Sequence, residues 1–204
     1  DGLRVTDKET AEIAEMMLSG NIGKSLVQSF QTQGIQAVSI SGKDGDTLIA
    51  KKKLIDGNDI GFVGDIVKVN TSLLLSLMNN DFIPVVAPIG TDSKGNTYNI
   101  NADYAASAIA GALQAQKLVF LTDVEGILRD KDDPSSIMRR LTLSEATSYI
   151  EDGTISGGMI PKATCCMDGI QKGVDSVHIL DGRIPHSLLL EIFTNDGIGT
   201  MMTL

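Results

Sequence analysis

Ile83-Pro84-Val85-Val86-Ala87-Pro88-Ile89 is almost continuously apolar, and Asn99-Ile100-Asn101-Ala102-Asp103, an Ala-rich run over 104–115 and Leu118-Val119-Phe120-Leu121 follow it. A run of that kind suits a strand covered on both faces of a sheet. The small side chains of 104–115 suit a helix packed closely against that sheet, and 118–121 reads as the next strand. Strands alternating with helices put the chain in the α/β class, as a three-layer αβα sandwich with a mainly parallel central sheet. Ligands of such sheets gather outside the carboxyl ends of the strands.

Working outward, Thr6 or Asp7 can cap a helix with Ile13, Met16, Met17 and Leu18 as its buried face, ended by Gly20. A second helix is expected over 22–33, then a strand at 37–40. The shorter alternation over 47–69, punctuated by Gly57, Gly61 and Gly64, predicts hairpins. Toward the other end, Thr142 and Glu145 have capping-box spacing ahead of a helix to 151. A glycine-rich turn at 153–158, a helix over 162–172, a strand at 177–180, a helix over 187–193 and a short terminal strand complete the alternation.

Composition narrows the function. With 204 residues, 42% of them hydrophobic, only 4% aromatic and no Trp, the chain can bury an aliphatic core as one domain or two joined lobes. A net charge of −9, with no basic cluster larger than Lys51-Lys52-Lys53, argues against nucleic acid as the partner. That lysine run is expected on a solvated turn. Cys165 and Cys166 are adjacent, which offers neither a ready disulfide nor a metal pattern, and they read as small helix residues in a reducing cytosol. His178 and His186 are too few for a zinc site, so no metal held by the protein is expected. No apolar run is long enough for a membrane span.

Three segments carry chemistry. Asn99-x-Asn101-Ala102-Asp103 sets amides and a carboxylate at a helix amino terminus, where anions are favoured, although Asn101 or Asp103 could serve only as the cap. Asn99 is not needed for a cap. Leu121-Thr122-Asp123-Val124-Glu125-Gly126-Ile127-Leu128 delivers polar groups and a glycine from an apolar strand to the sheet's edge, either for a nucleotide or simply to turn the chain. Gly153-Thr154-Ile155-Ser156-Gly157-Gly158-Met159-Ile160-Pro161-Lys162 has glycines that let backbone amides approach a phosphate and a lysine that can neutralise a transferring phosphoryl group. The other reading is a flexible loop with a surface lysine. The spacing is not that of a P-loop.

Together with Asp1-Gly2-Leu3-Arg4-Val5-Thr6, these segments resemble the N-acetylglutamate kinase branch of the amino acid kinase family across nearly the whole chain. The resemblance implies transfer of the γ-phosphoryl of ATP, with Mg2+ carried by the nucleotide, onto the γ-carboxylate of N-acetyl-L-glutamate in arginine biosynthesis, in the cytoplasm. It implies Arg4 on the substrate's α-carboxylate, Asn99 on the acetylated amino acid, Asp103 orienting catalytic lysines and Lys162 stabilising the transition state. Asp123, Val124, Glu125, Gly126, Ile127 and Leu128, with Thr154, Ile155 and Ser156, correspond to the nucleotide-binding segments. Residues 1–90 would be the remainder of an acylamino-acid-binding lobe and 91–204 a nucleotide-binding lobe on one continuous sheet.

The resemblance also implies departures and rivals. Family members carry an amino-terminal strand with a lysine before a Gly-Gly turn and a later His-Gly-Gly-Gly loop, and neither occurs after Asp1. The expectation is therefore a chain that begins partway into the fold, lacks its N-terminal strands, exposes surface those strands would cover and catalyses poorly by itself. Rival readings are glutamate 5-kinase and a non-catalytic sensor of arginine, nucleotide or N-acetylglutamate. The region of His178, Glu191, Gly197 and Gly199 looks like the L-arginine effector site of inhibited members, which assemble from dimers into hexamers.

Overall fold

The computed structural model describes residues 5–194 and 197–204. The chain forms two compact units, Gly2–Ala105 and Ala106–Leu204. Their boundary falls after Ala105, whereas the sequence reading placed it after residue 90.

In the first unit, Asp7 caps α1 (Lys8–Glu15) by accepting from the Thr10 amide at 2.8 Å. Gly20 does not end the helix. The chain runs on through a widened turn at Met16–Ile22 directly into α2 (Gly23–Thr32), which stops before Gly34 at φ +77°. Widened turns of this type shift the helical period, and the face turned inward is set by Ala11 and Glu15. Ala11 is buried, and Glu15 meets Lys43 Nζ at 2.9 Å, which also reaches Thr97 Oγ1 at 3.0 Å. Of the expected buried face, Ile13, Met16 and Met17 lie outside at 49%, 64% and 47% exposure, and Leu18 is half-buried.

The strands β1 (Ala37–Ser41), β2 (Leu48–Ile55), β3 (Asn58–Val69), β4 (Ile83–Ala87), β5 (Ile89–Thr91) and β6 (Thr97–Asn99) follow, with α3 (Ser72–Met78) between β3 and β4. β1 pairs in parallel with β4, Ala37 opposite Ile83 through Ser41 opposite Ala87. β2, β3, β6 and β5 close into a small barrel, which the sequence reading did not anticipate beyond its hairpins. The β2–β3 hairpin turns at Asp56 and Gly57, both at positive φ, as a tight two-residue turn requires. Inside so narrow a barrel, side chains must alternate large and small. A Cβ on Gly64 would stand 2.7 Å from that of Tyr98, and one on Gly90 would stand 2.6 Å from Ile100 Cδ1. Those glycines make room for Ala50, Tyr98 and Ile100, which are buried.

Two further expectations change here. The apolar run 83–89 is broken at Pro88, whose carbonyl accepts from the Ile100 amide at 2.9 Å, so one run serves two sheets in turn. Pro88 has no N–H to continue a ladder. The run is also not covered on both faces, since Ile83 is 42% exposed. Lys51, Lys52 and Lys53 lie in β2, not on a turn, because Lys52 pairs with Asp59 and Lys53 with Asp65 of β3, each at 2.8 Å.

At the junction begins α4 (Ala102–Leu113), and the second unit continues with β7 (Lys117–Thr122), β8 (Arg140–Thr142), α5 (Leu143–Glu151), α6 (Met159–Gln171), β9 (Ser176–Asp181), α7 (Ser187–Phe193) and β10 (Thr200–Thr203). Its sheet runs β7-β9-β10-β8, with β7–β9 and β8–β10 parallel and β9–β10 antiparallel. Among the described residues the strands pair as a two-stranded sheet, a four-stranded sheet and a closed barrel. Every residue of β9 is buried. Val177 faces α6, where a Cβ on Gly169 would stand 3.2 Å from it, while Ser176 and His178 face α7, so the two helices cover opposite faces of the strand. Thr142 and Glu145 form the expected capping box at the start of α5. Cys165 and Cys166 are buried, unoxidised residues of α6. The α/β class stands.

Candidate active site

The first unit contributes the end of β6 and the start of α4. Asn99 is half-buried as the last residue of β6, opposite Ile89 of β5 and Val63 of β3. Asn101 supplies the cap, its Oδ1 accepting from the amides of Asp103 at 2.9 Å and Tyr104 at 3.3 Å. The open choice between Asn101 and Asp103 is thereby decided. Asp103 sits in the first turn of α4, half-buried, at the end of the helix where its charge is favoured. Arg4 lies outside the described residues.

In the second unit, the two predicted nucleotide segments meet in one cavity of about 380 Å3, whose walls include all nine of the residues 123–128 and 154–156. β7 delivers the first segment. Thr122 Oγ1 accepts from the Val124 amide at 3.1 Å, and Thr200 Oγ1 of β10 accepts from the Ile127 amide at 2.8 Å, so both ends of the segment are tied. The second segment follows α5 and leads through Gly157 and Gly158 into α6. Ile155 is buried, its amide donating to Tyr149 O at 2.7 Å, which holds Thr154 and Ser156 at the cavity wall. Lys162 is half-buried in the opening turns of α6. Lys162 thus adds a cation near the helix end at which anions are favoured.

Four cavity residues lie outside the named nucleotide segments: Lys131, Pro134, Met159 and Arg183. Met159 could have been found as the residue that follows Gly157-Gly158. Arg183 carried a subtler signal, an Asp-Gly-Arg turn at the carboxyl end of a strand. Its Nε and Nη2 donate to Asp181 Oδ1 at 2.9 Å and Oδ2 at 2.8 Å, and its own amide donates to Oδ1 at 2.8 Å. Those bonds hold the Asp181 carboxyl below the usual range, and Asp181 in turn raises Arg183.

The proposed effector residues are drawn together as well, but differently from the expectation. His178 Nδ1 and Glu191 Oε1 stand 2.8 Å apart, and His178 Nε2 meets Ser176 Oγ at 3.1 Å. The other carboxylate oxygen of Glu191 accepts from the amides of Ile198 at 2.7 Å and Gly199 at 3.0 Å. A side chain on Gly197 would collide with that oxygen. The amides of Ile198 and Gly199, within the expected effector region, are thus engaged by Glu191 itself. Burial alone would raise the Glu191 carboxyl, but the bonds from His178, Gly199 and Ile198 outweigh it and hold the group low.

Among the described residues no helix is long and apolar enough to cross a membrane, and no three His, Cys, Asp or Glu side chains gather to hold a metal. The model of the amino acid kinase family matches residues 1–181. The chain is 52% identical to the acetylglutamate kinase of Heliobacterium modesticaldum, with 98% of this chain and 71% of that protein aligned. It is 53% identical to the acetylglutamate kinase of Methanocaldococcus jannaschii, over 99% of this chain and 70% of that protein. Among solved structures, the N-acetylglutamate synthase of Neisseria gonorrhoeae complexed with coenzyme A and N-acetyl-glutamate superposes with a TM-score of 0.86 at 31% identity. That match covers all of this chain but only 46% of the synthase.

Proposed function

Because the chain belongs to the amino acid kinase family, we propose that it phosphorylates the γ-carboxylate of N-acetyl-L-glutamate with ATP, forming N-acetyl-L-glutamyl 5-phosphate. The observation that carries this reading is the single cavity built from 123–128 and 154–156, continued by the glycine turn into the helix of Lys162. An apolar wall with a few polar groups suits a nucleoside, and a cation at a helix's positive end suits its phosphates. Relatives about half identical to this chain and named acetylglutamate kinase support the choice of acceptor.

A carboxylate is already a nucleophile, so the reaction needs no general base. Its oxygen attacks the γ-phosphorus in line, the bond to the β-phosphate oxygen breaks, and ADP leaves with the electron pair. Catalysis then consists of alignment and of neutralising charge on the equatorial oxygens. In this reading Lys162 meets the transferring group, Asp103 orients the cations around it, Asn99 holds the acetylated amino acid and Arg4 grips its α-carboxylate. Mg2+ enters with the nucleotide's phosphates. The reaction belongs to the cytoplasm, in the pathway to arginine, and the enzyme would work as a dimer or hexamer.

Regulation by L-arginine belongs to the same reading. Glu191 can pair with a guanidinium, but the amides of Ile198 and Gly199 are occupied by its carboxylate. An effector in this region must therefore replace those bonds, and inhibition follows if the rearranged state binds substrate less well.

The test is an acyl-phosphate assay on the full-length protein, with hydroxylamine trapping the product. ATP-dependent hydroxamate is expected with N-acetyl-L-glutamate and not with L-glutamate. Preference for L-glutamate would make the protein a glutamate 5-kinase, and nucleotide binding without turnover would make it a sensor. Millimolar L-arginine added to the same assay is expected to raise the substrate requirement; indifference would remove the effector assignment.

A further inference from the structure

We infer that Arg183 is a nucleotide-binding residue whose fixed guanidinium plane supports the nucleobase end of the nucleotide. This rests on the reading of the cavity as a nucleotide site, and it adds a residue outside both nucleotide segments.

Position comes first. Asp181 ends β9 beside Thr122, the end of the parallel strand β7, and the Gly182 amide donates to Thr122 O at 2.8 Å. Arg183 therefore leaves the sheet where Asp123 begins the first nucleotide segment, at the carboxyl ends of two adjacent parallel strands, and its side chain forms part of the cavity wall. That is where open α/β sheets bind ligands.

Fixation comes second. The Asp181 side chain is only 8% exposed and takes two hydrogen bonds along one edge of the guanidinium, while the Arg183 side chain remains 67% exposed. One edge is tied and the faces stay open. A bidentate pair of this kind removes most of the arginine's rotational freedom before any ligand arrives.

Chemistry comes third. The cavity is walled by Val124, Ile127, Leu128, Ile155 and Met159, and none of the described residues lining it is aromatic. The Arg183 guanidinium is thus the flat π-surface available there to a purine ring, and guanidinium planes stack on aromatic faces. Its surroundings disfavour the alternative of a phosphate contact. Asp181 neutralises its charge, and Asp123 and Glu125 lie close enough to bear on it electrostatically. Three carboxylates around one cation repel a polyphosphate, which is better received by Gly157, Gly158 and Lys162 at the start of α6. Base at Arg183 and phosphates at α6 give the nucleotide one direction in the cavity.

The experiment measures dissociation constants of ATP, ADP and AMP by calorimetry for the unaltered protein, Arg183→Gln and Arg183→Lys, with KM for ATP and for N-acetylglutamate alongside. Arg183→Gln should weaken all three nucleotides by the same factor, about five- to tenfold. Arg183→Lys should fail to restore them, because it keeps the charge and loses the plane. KM for ATP should rise while KM for N-acetylglutamate stays put. Unchanged constants would overturn the inference, as would a loss confined to ATP and ADP that lysine restores, which marks a phosphate contact. The underlying reading has its own control. If ADP leaves the methyl resonances of Ile127, Ile155 and Met159 of the unaltered protein unmoved, the cavity is not the nucleotide site and Arg183 falls with it.

Discussion

Replacing Lys162 by alanine should lower kcat by about two orders of magnitude or more, the scale on which one preorganised electrostatic donor acts. Lys162 lies in the opening turns of α6 behind Gly157 and Gly158, at the helix end that already carries partial positive charge. Thermal unfolding of the variant separates a loss of chemistry from a loss of fold. Stopped hydroxamate assays at saturating ATP and N-acetylglutamate read the effect directly, with thermal unfolding as the control. Since the charge is needed most in the transition state, kcat and kcat/KM should fall together. A Lys162→Ala enzyme with near-normal kcat would remove this residue from the mechanism.

The second large effect concerns stability. Glu191→Ala should destabilise the second unit by about 3 kcal/mol, because it strands the buried His178 ring and the amides of Ile198 and Gly199 without an acceptor. For a chain of this size that corresponds to a fall in Tm of roughly 6–12 °C. Calorimetry decides it; a shift below about 2 °C would show that water or a neighbouring group replaces the carboxylate. The same carboxyl sets a pH dependence. Its folded pKa lies below the ordinary value of 4.5, so the stability it contributes is present above that value and is lost as the pH falls through the lower folded one. The alanine variant should lose less stability between neutral pH and that acid range. Glu191→Ala is consequently a poor probe of arginine binding, since a structural loss would imitate a lost effector.

Strand and helix alternation in the second unit was legible, apart from the three-residue β8, because the other elements are bounded by local signals, such as the Thr142 and Glu145 capping box or the Asp-Gly turn after β9. The two segments that line the cavity were legible for the same reason, as polar groups and glycines at strand ends. The barrel was not. Its closure joins β5 and β6 to the β2–β3 hairpin across α3 and β4, and Gly64 reads as a turn signal although it lies in a strand, where it makes room for Tyr98. Gly20 misled in the opposite sense, since a widened helical turn carries the chain past it. Pro88 was visible, but an apolar run on either side of it looks the same whether one sheet or two receive it. Arg183 was not legible as a cavity residue because an arginine after a glycine resembles any solvated turn until its carboxylate partner is seen.

β9 has a further consequence. With β7 and β10 on its two edges and α6 and α7 on its two faces, β9 is shielded from solvent on every side. Exchange of its amide protons with deuterium must therefore await opening of the whole second unit, and the slowest of them report that unit's global unfolding free energy. The exposed acidic stretch 130–133 can exchange through local openings alone. A nucleotide bound in the cavity would slow both, but only the β9 amides would convert its affinity directly into a change of exchange rate.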